Sequence, residues 1–286
     1  MSELRRDCPA CGGALEPSFE RDGFPFGKCT ACGSISVRRV PADADLAAYY
    51  NDEAAPDYRV KYRATEHAQT RTWKGRLELI AELRGTERPG TVLDVGASYG
   101  AFLRVAADAG WNAYGVEITR EGRDAIQSLA GDGHAFERVD ELPAGLHFDV
   151  ITLWDVVEHL PEPVQTLATL RERLAPGGVL FFSTVSIESV NQRLFGRHWH
   201  YYRPPRHLVH FTARGIDRML ERAGLERTYR NSRFMAHAFF AGLPGPLGRG
   251  ARGPAKLAQR ALGLGMRTVL DRVGGGDIID VGAVRR

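Results

Sequence analysis

Downstream of residue 91 short apolar runs alternate with longer stretches in which apolar positions recur every three or four residues. The runs "TVLDVG", "WNAYGVEI", "HAFERV", "FDVITLW", "GGVLFFST", "LERTYRN" and "DIIDVGAVRR" have the length and bounding turn residues of strands. Between them the spacing predicts helices over residues 99–109, 119–130, 162–174 and 212–223. Strands separated by helices in this way bury both faces of a mostly parallel sheet. The expected fold is therefore α/β, a doubly wound, seven-stranded Rossmann-like sheet.

A further helix is predicted upstream. In "YRATEHAQTRTWKGRLELIAELRG", Trp73, Leu77, Ile80 and Leu83 fall at helical spacing and Gly85 ends the pattern. Residues 41–60, rich in Asp and Ala with Tyr49 and Tyr50 side by side, read as a linker. Residues 241–273 interrupt the last two strands, beginning as a Gly/Pro loop and continuing as a short basic amphipathic helix. The expected organisation is a small N-terminal module over 1–40, a linker and helix over 41–90, and a main domain over 91–286 that carries the insertion.

The first 40 residues hold too few apolar positions for a core, but they contain two C-x-x-C pairs, Cys8/Cys11 and Cys29/Cys32, separated by 17 residues. Each pair supplies two thiolates from one tight turn, and Gly12 and Gly33 follow where the turn needs a permissive backbone. The pattern predicts a zinc ribbon whose four thiolates close a tetrahedral site and leave no position open for water, so the zinc is structural.

Composition narrows the class. Hydrophobic content of 43% and charged content of 26% are those of a globular protein, and no apolar run reaches the ~18 residues that span a bilayer. The opening "MSELRRDCPA" has no apolar stretch behind it, so a cytoplasmic location is expected, where thiols stay reduced. The net charge of +3 is unevenly spread: −3 over residues 1–60, −6 over 61–190 and +12 over 191–286. A strongly basic final third suits an anionic ligand, and solvated arginines are the alternative.

The turn after the first strand of the main domain, "TVLDVGASYGAFL", has the position of a nucleotide-binding loop but not the dinucleotide pattern. Gly96 is present, whereas Ser98 and Ala101 stand at the other two glycine positions. A phosphate-cradling Gly-x-x-x-x-Gly-Lys-Ser/Thr is also missing. Asp94, Gly96 and Gly100 remain, and Glu117 ends the second strand 21 residues after Gly96.

These residues, with "GVEIT", "FDVITLWDVVEHLPEP", "RLAPGGVLFFST" and "RHLVHFT" in that order, resemble the class I S-adenosylmethionine-dependent methyltransferases, and among them the ubiquinone-pathway O-methyltransferases, over roughly residues 60–286. The resemblance implies that S-adenosylmethionine is the co-substrate. It places Gly96 and Gly100 against the methionyl part, Asp94 near its ammonium group, and Glu117 on the ribose hydroxyls. Asp140 is then the candidate for the adenine amino group, with Glu141 as a rival, Leu142 packs on the ring, and Asp155 orients the methionyl end. An Asp or Glu at a strand end is also commonly a helix cap.

A hydroxyl acceptor must lose a proton, and a histidine suits that task. His159, beside Glu158, is the first candidate for the base, followed by His207 and His210 in "RPPRHLVHF"; a histidine bonded to a loop is the plain alternative for each. The segment "FGRHWHYYRPPRH" offers Trp199 and Tyr202 to stack an acceptor and Arg203 and Arg206 to hold an acidic group. In relatives carrying the Glu–His pair both residues face the acceptor. Two adjacent ligands make a poor metal site, so no required catalytic metal is expected.

Three functions compete: a small-molecule methyltransferase acting on the hydroxyl of a natural product, sugar or quinone-like precursor; an RNA methyltransferase reading its substrate through the ribbon; and a non-catalytic S-adenosylmethionine-binding module. Residues 1–60, which include the ribbon, are net negative, and that argues against nucleic acid. The intact Asp94, Gly96, Glu117 and Glu158–His159 set argues against loss of catalysis. A homodimer is compatible with the sequence, and the basic insertion helix fits a lid, a membrane-surface contact or a dimer element.

Overall fold

The seven strands expected after residue 91 form one sheet. The computed structural model describes residues 4–50, 55–236, 239–240, 243, 254–272 and 274–286. The strands are β4 (Thr91–Val95), β5 (Asn112–Val116), β6 (Ala135–Phe136), β7 (Phe148–Trp154), β8 (Leu174–Val185), β10 (Leu225–Arg233) and β11 (Ile278–Arg285), in the spatial order β10-β11-β8-β7-β4-β5-β6. The five from β4 to β8 pair in parallel, and β11 runs antiparallel between β8 and β10. Strand order reverses at β4, which places the ligand crevice of such a sheet outside the carboxyl ends of β4, β5 and β7.

Alternation along the strands builds two apolar layers. Val92, Val150 and Phe181 cluster with Leu77 and Ile80 of α2 (Ala55–Arg84) and Phe102 and Leu103 of α3 (Ala101–Asp108). Leu93, Ile151 and Phe182 cluster with Leu167 and Leu170 of α5 (Pro163–Glu172) and Ile216, Met219 and Leu220 of α7 (Ala213–Arg222). Side chains of successive strand residues point to opposite faces, so a run that is apolar throughout is what a sheet covered on both sides requires.

The helices keep the expected positions with trimmed ends. Thr119 caps α4 (Arg120–Ala130), accepting from Gly122 N, and Thr212 caps α7, accepting from Gly215 N. Two elements depart from expectation. The strand expected in "HAFERV" shrinks to the two residues of β6 at the sheet edge. The supposed linker is largely helical, with α1 (Asp43–Ala48) and the start of α2 inside it, because Ala, Glu and Arg favour helix there without an apolar stripe to announce it. Of the insertion, the Gly/Pro loop lies mostly outside the described residues, and the helix is present as α8 (Pro254–Leu270).

The ribbon is not a bead on a string. Its strands β1 (Leu15–Arg21), β2 (Phe24–Cys29) and β3 (Ile35–Val37) form an antiparallel sheet completed by β9 (Val209–His210), a strand supplied by the main domain. Val37 N donates to Leu208 O at 2.9 Å, Thr212 Oγ1 to Cys32 O at 2.8 Å, and Arg21 Nη1 to Trp199 O at 2.8 Å. Phe26 stacks on Phe19 at 4.7 Å and meets Tyr202 at 5.5 Å. A three-stranded ribbon cannot bury its own apolar face, and residues 199–211 bury it instead.

Candidate functional site

The carboxyl ends of the parallel strands bring together Asp94, Glu117, Asp155 and Thr184. After β4 the chain turns sharply through Gly96, Ser98 and Gly100, all with φ between 51° and 73°. Glycine suits two of these left-handed positions; Ser98 accepts the strain, and its amide donates to Glu117 Oε2 at 2.8 Å. A Cβ on Gly96 would come within 2.5 Å of Val156 Cγ2, so the close approach of the two loops itself demands glycine.

Glu117 is buried at the end of β5 and ties the loop edges together: Oε1 accepts from Thr119 N at 2.9 Å and Thr119 Oγ1 at 2.8 Å, in addition to the Ser98 bond. A carboxylate has about four acceptor sites, so roughly one remains for a ligand without rearrangement. Asp94 accepts from Thr152 Oγ1 at 2.7 Å, and burial pushes its carboxyl up to about 7.

Beside Asp94 lies a residue that the sequence reading missed. Arg76, on α2, has its guanidinium 4.7 Å from the Trp73 ring centroid and 4.1 Å from that of Trp154. One of its nitrogens is 3.9 Å from Asp280, which is held in turn by Arg233 through two bonds of 2.5 and 2.9 Å. Among the described residues, Arg76 Nη1 is buried without a hydrogen-bond partner. A buried guanidinium is costly unless something accepts from it, so this orphan donor marks a place for an anionic group. Its one signal in the sequence is the pairing with Trp73 one helical turn earlier.

The second half of the site lies on the turn Val157–His159 that follows β7. Glu158 is buried, accepts from Thr184 Oγ1 at 2.8 Å, and is pushed up to about 8 by burial and by the nearby Asp155. His159 Nε2 is 3.9 Å from Glu158 Oε1, and its Nδ1 is 2.6 Å from the hydroxyl of Tyr50, another residue not singled out in the sequence. Burial and the Arg206 charge depress His159 to about 3, leaving the ring neutral with one nitrogen able to accept a proton. His207 is neutral for the same main reason, and its Nδ1 donates to Tyr201 O at 2.8 Å, which leaves Nε2 as the acceptor. The ligand atoms of Glu158, His159 and His207 lie within 4.8 Å of one another, as do the four ribbon sulfurs; both sets could hold a cation.

These burial effects carry a pH signature. Glu158 is protonated in the folded protein up to about pH 8 but ionises near 4.5 when exposed, so its contribution to stability is full below about pH 4.5 and lost as pH rises to about 8. Glu158→Gln removes that loss while keeping an acceptor for Thr184. The variant is expected to gain on wild type from about pH 4.5 to about 8 and no further above it. Urea midpoints across the range would show this, and parallel curves would contradict it.

The other expected site residues fall into two groups. Asp155 is exposed at the crevice with φ 56°, its Oδ1 accepting from Ser183 Oγ at 2.6 Å. Asp140 is exposed and pairs with Arg138 at 3.2 Å, while Leu142 is buried under the turn that carries it. Arg203 folds back onto His200, donating to its carbonyl at 3.0 Å, and Arg206 lies close enough to bias His159.

Three expectations are corrected. Trp199 and Tyr202 do not line an open wall: Tyr202 is buried on Phe19 and Phe26 of the ribbon, and Trp199 is buried behind it against Tyr202 and His210, its Nε1 donating to Asp277 at 3.1 Å. His210 is not poised as a base. It is fully buried in β9 opposite Ile35, with Nε2 held to Tyr201 O at 2.9 Å. In each case an aromatic, basic segment that looked like a ligand clamp spends its rings covering the ribbon.

This fold and loop define a class. A family model described as a methyltransferase domain matches residues 65–229, more than half of the chain, and the chain belongs to that family. It is similar to the ubiquinone biosynthesis O-methyltransferase of Actinobacillus pleuropneumoniae serotype 7, at 33% identity over 106 residues, covering 33% of this chain and 45% of that protein. The enzyme of the same description from Bordetella avium is 30% identical over 119 residues, 39% of this chain and 49% of its own length. The chain thus spans about half the length of the curated relatives it matches. Among solved structures, magnesium protoporphyrin IX methyltransferase from Synechocystis PCC 6803 superposes with a TM-score of 0.58 at 14% identity, covering 86% of this chain and all of that one, a likeness of fold.

Proposed function

We propose that the chain transfers a methyl group from S-adenosylmethionine to a hydroxyl of a small molecule, and that the four ribbon thiols hold a structural zinc. The observation that carries the reading is the junction of two half-sites at the strand ends: the Gly96 loop with Asp94, Glu117 and the orphaned Arg76 on one side, and His159 bonded to a phenolic hydroxyl on the other. S-adenosylmethionine supplies a methyl group on a cationic sulfur. Arg76 Nη1 suits its carboxylate, Asp94 its ammonium group, and Glu117 its ribose, the second ribose hydroxyl taking the place of the Thr119 hydroxyl. Asp140 and Leu142 remain the candidates for adenine and Asp155 for the methionyl end.

The Tyr50 hydroxyl, 2.6 Å from Nδ1, supports His159 as the base: an acceptor that displaced this phenol would present its own oxygen to a neutral imidazole. The Asp155 charge favours the imidazolium that forms, and His207 offers a second acceptor nitrogen. Arg203 and Arg206 are the candidates to meet an acidic group on the substrate. Holding acceptor and donor in line supplies much of the acceleration, with orientation effects of about 7 to 11 kcal/mol at their upper range.

Arg76→Ala is expected to weaken S-adenosylmethionine binding by roughly 10- to 100-fold, the cost of about 1.5–3 kcal/mol for a hydrogen bond to a charged group, with kcat at saturation little changed. Calorimetric titration measures it, and unaltered affinity would remove Arg76 from the donor site. Turnover is expected to persist in a chelator that leaves the ribbon zinc in place, because Glu158, neutral below about pH 8, is a poor partner for a cation. Loss of turnover there would make Glu158, His159 and His207 a metal site.

The acceptor class is tested by transfer of labelled methyl from S-adenosylmethionine into total RNA and into a small-molecule extract of host cells. Label in the extract supports the reading and lets mass spectrometry identify the product. Label in RNA replaces it, and donor binding without transfer to either fraction would make the chain a binding module.

A further inference from the structure

We infer that α8 is an interfacial helix that seats the crevice end of the molecule on an anionic lipid surface. The sheet register fixes where the helix lies. The end of β10, Arg233, pairs with Ile278 at the start of β11, which pairs with Val185 at the carboxyl end of β8. The segment between β10 and β11 therefore leaves and re-enters the sheet at the end that carries Asp155 and Thr184.

Four of the six large apolar side chains exposed among the described residues belong to α8: Leu257 and Leu264, each 69% exposed, Val269 at 59% and Leu262 at 52%. Helical geometry puts Leu257, Ala261, Leu264 and Thr268 on one stripe and Ala258, Leu262, Gly265 and Val269 on the next, and every one of these eight is exposed. The inward side is held by Gly263, where an added Cβ would come within 2.8 Å of Ala236 Cβ. A contiguous apolar outer face is not what a solvated helix presents.

Charge decides the occupant. Pro254–Leu270 contains Lys256, Arg260 and Arg267 and no Asp or Glu, and all three cations are exposed along one flank of the apolar face. Arg267 is paired with Asp271 just past the helix, and a second copy docked on this face would bring two flanks carrying Lys256 and Arg260 against each other. A bilayer with anionic headgroups answers both features: the leucines enter the acyl boundary while the long basic side chains reach back to phosphate.

The test is sedimentation of the full chain with vesicles of phosphatidylcholine alone and of phosphatidylcholine mixed with phosphatidylglycerol. The chain is expected to pellet with the mixed vesicles and weakly with the neutral ones, and to be released by salt. Replacing Lys256 and Arg260 by Gln should weaken partition to the mixed vesicles about thirtyfold. Leu257→Glu with Leu264→Glu should abolish binding, while S-adenosylmethionine affinity, measured in parallel, reports that the variant is folded. Equal pelleting with both vesicle types, or retained binding by the leucine variant, overturns the proposal. So does a dimer on size exclusion that the leucine variant converts to monomer, which would make a second copy the occupant.

Discussion

Cys29→Ser is expected to cost the protein its zinc equivalent and most of its turnover together. A structural zinc site contributes about 10–16 kcal/mol of apparent binding free energy to folding a module of this kind, and a serine hydroxyl does not replace the thiolate. The effect reaches the crevice because the ribbon holds β9 and its flanks. Ile35 pairs with His210, Val37 holds Leu208 O, and Leu208 N in turn donates to Glu158 O at 2.8 Å. His207 sits one residue before that clamp. Metal content, near-ultraviolet dichroism from the buried Trp199 and turnover should fall in parallel. Chelator-stripped wild type provides the same comparison without the substitution. Metal-free protein that kept its dichroism and its turnover would reduce the ribbon to an appendage.

His159→Ala is expected to lower kcat by about 10²- to 10⁴-fold, the range of a positioned general base, with S-adenosylmethionine affinity unchanged. His159 is favoured over its neighbours by geometry. His210 is inside the ribbon sheet, and His207 has one nitrogen committed to Tyr201 O, whereas His159 already holds a phenolic hydroxyl at 2.6 Å. A fall of less than tenfold would move the role to His207, and His207→Ala should then show the larger loss.

The main sheet was legible in the sequence because a strand buried on both faces must be mostly apolar, and "TVLDV", "FDVIT" and "VLFFS" each carry at least three apolar residues in five. The Gly96 turn was legible for a similar reason, since few residues tolerate its backbone. Arg76 and Tyr50 were not. Each acts through a partner far away in the chain, Trp154 and His159, and apart from Trp73 one turn before Arg76 nothing local distinguishes them from a solvated arginine or a linker tyrosine. Trp199, Tyr202 and His210 failed in the opposite direction. An aromatic and basic run next to a crevice has the composition of a ligand clamp, and only the pairing of β3 with β9 shows that its rings are needed to cover the ribbon.

That same pairing sets a schedule for synthesis. Residues 1–40 are made early, but the strand that completes their sheet lies about 175 residues later, at His210 opposite Ile35. At translation rates of about 5–20 residues per second the nascent ribbon waits roughly 9 to 35 seconds with the outer edge of β3 unpaired and Phe26 uncovered. An open strand edge next to an exposed aromatic is a ready template for another chain. Chaperone demand during expression should therefore peak before residue 210 emerges.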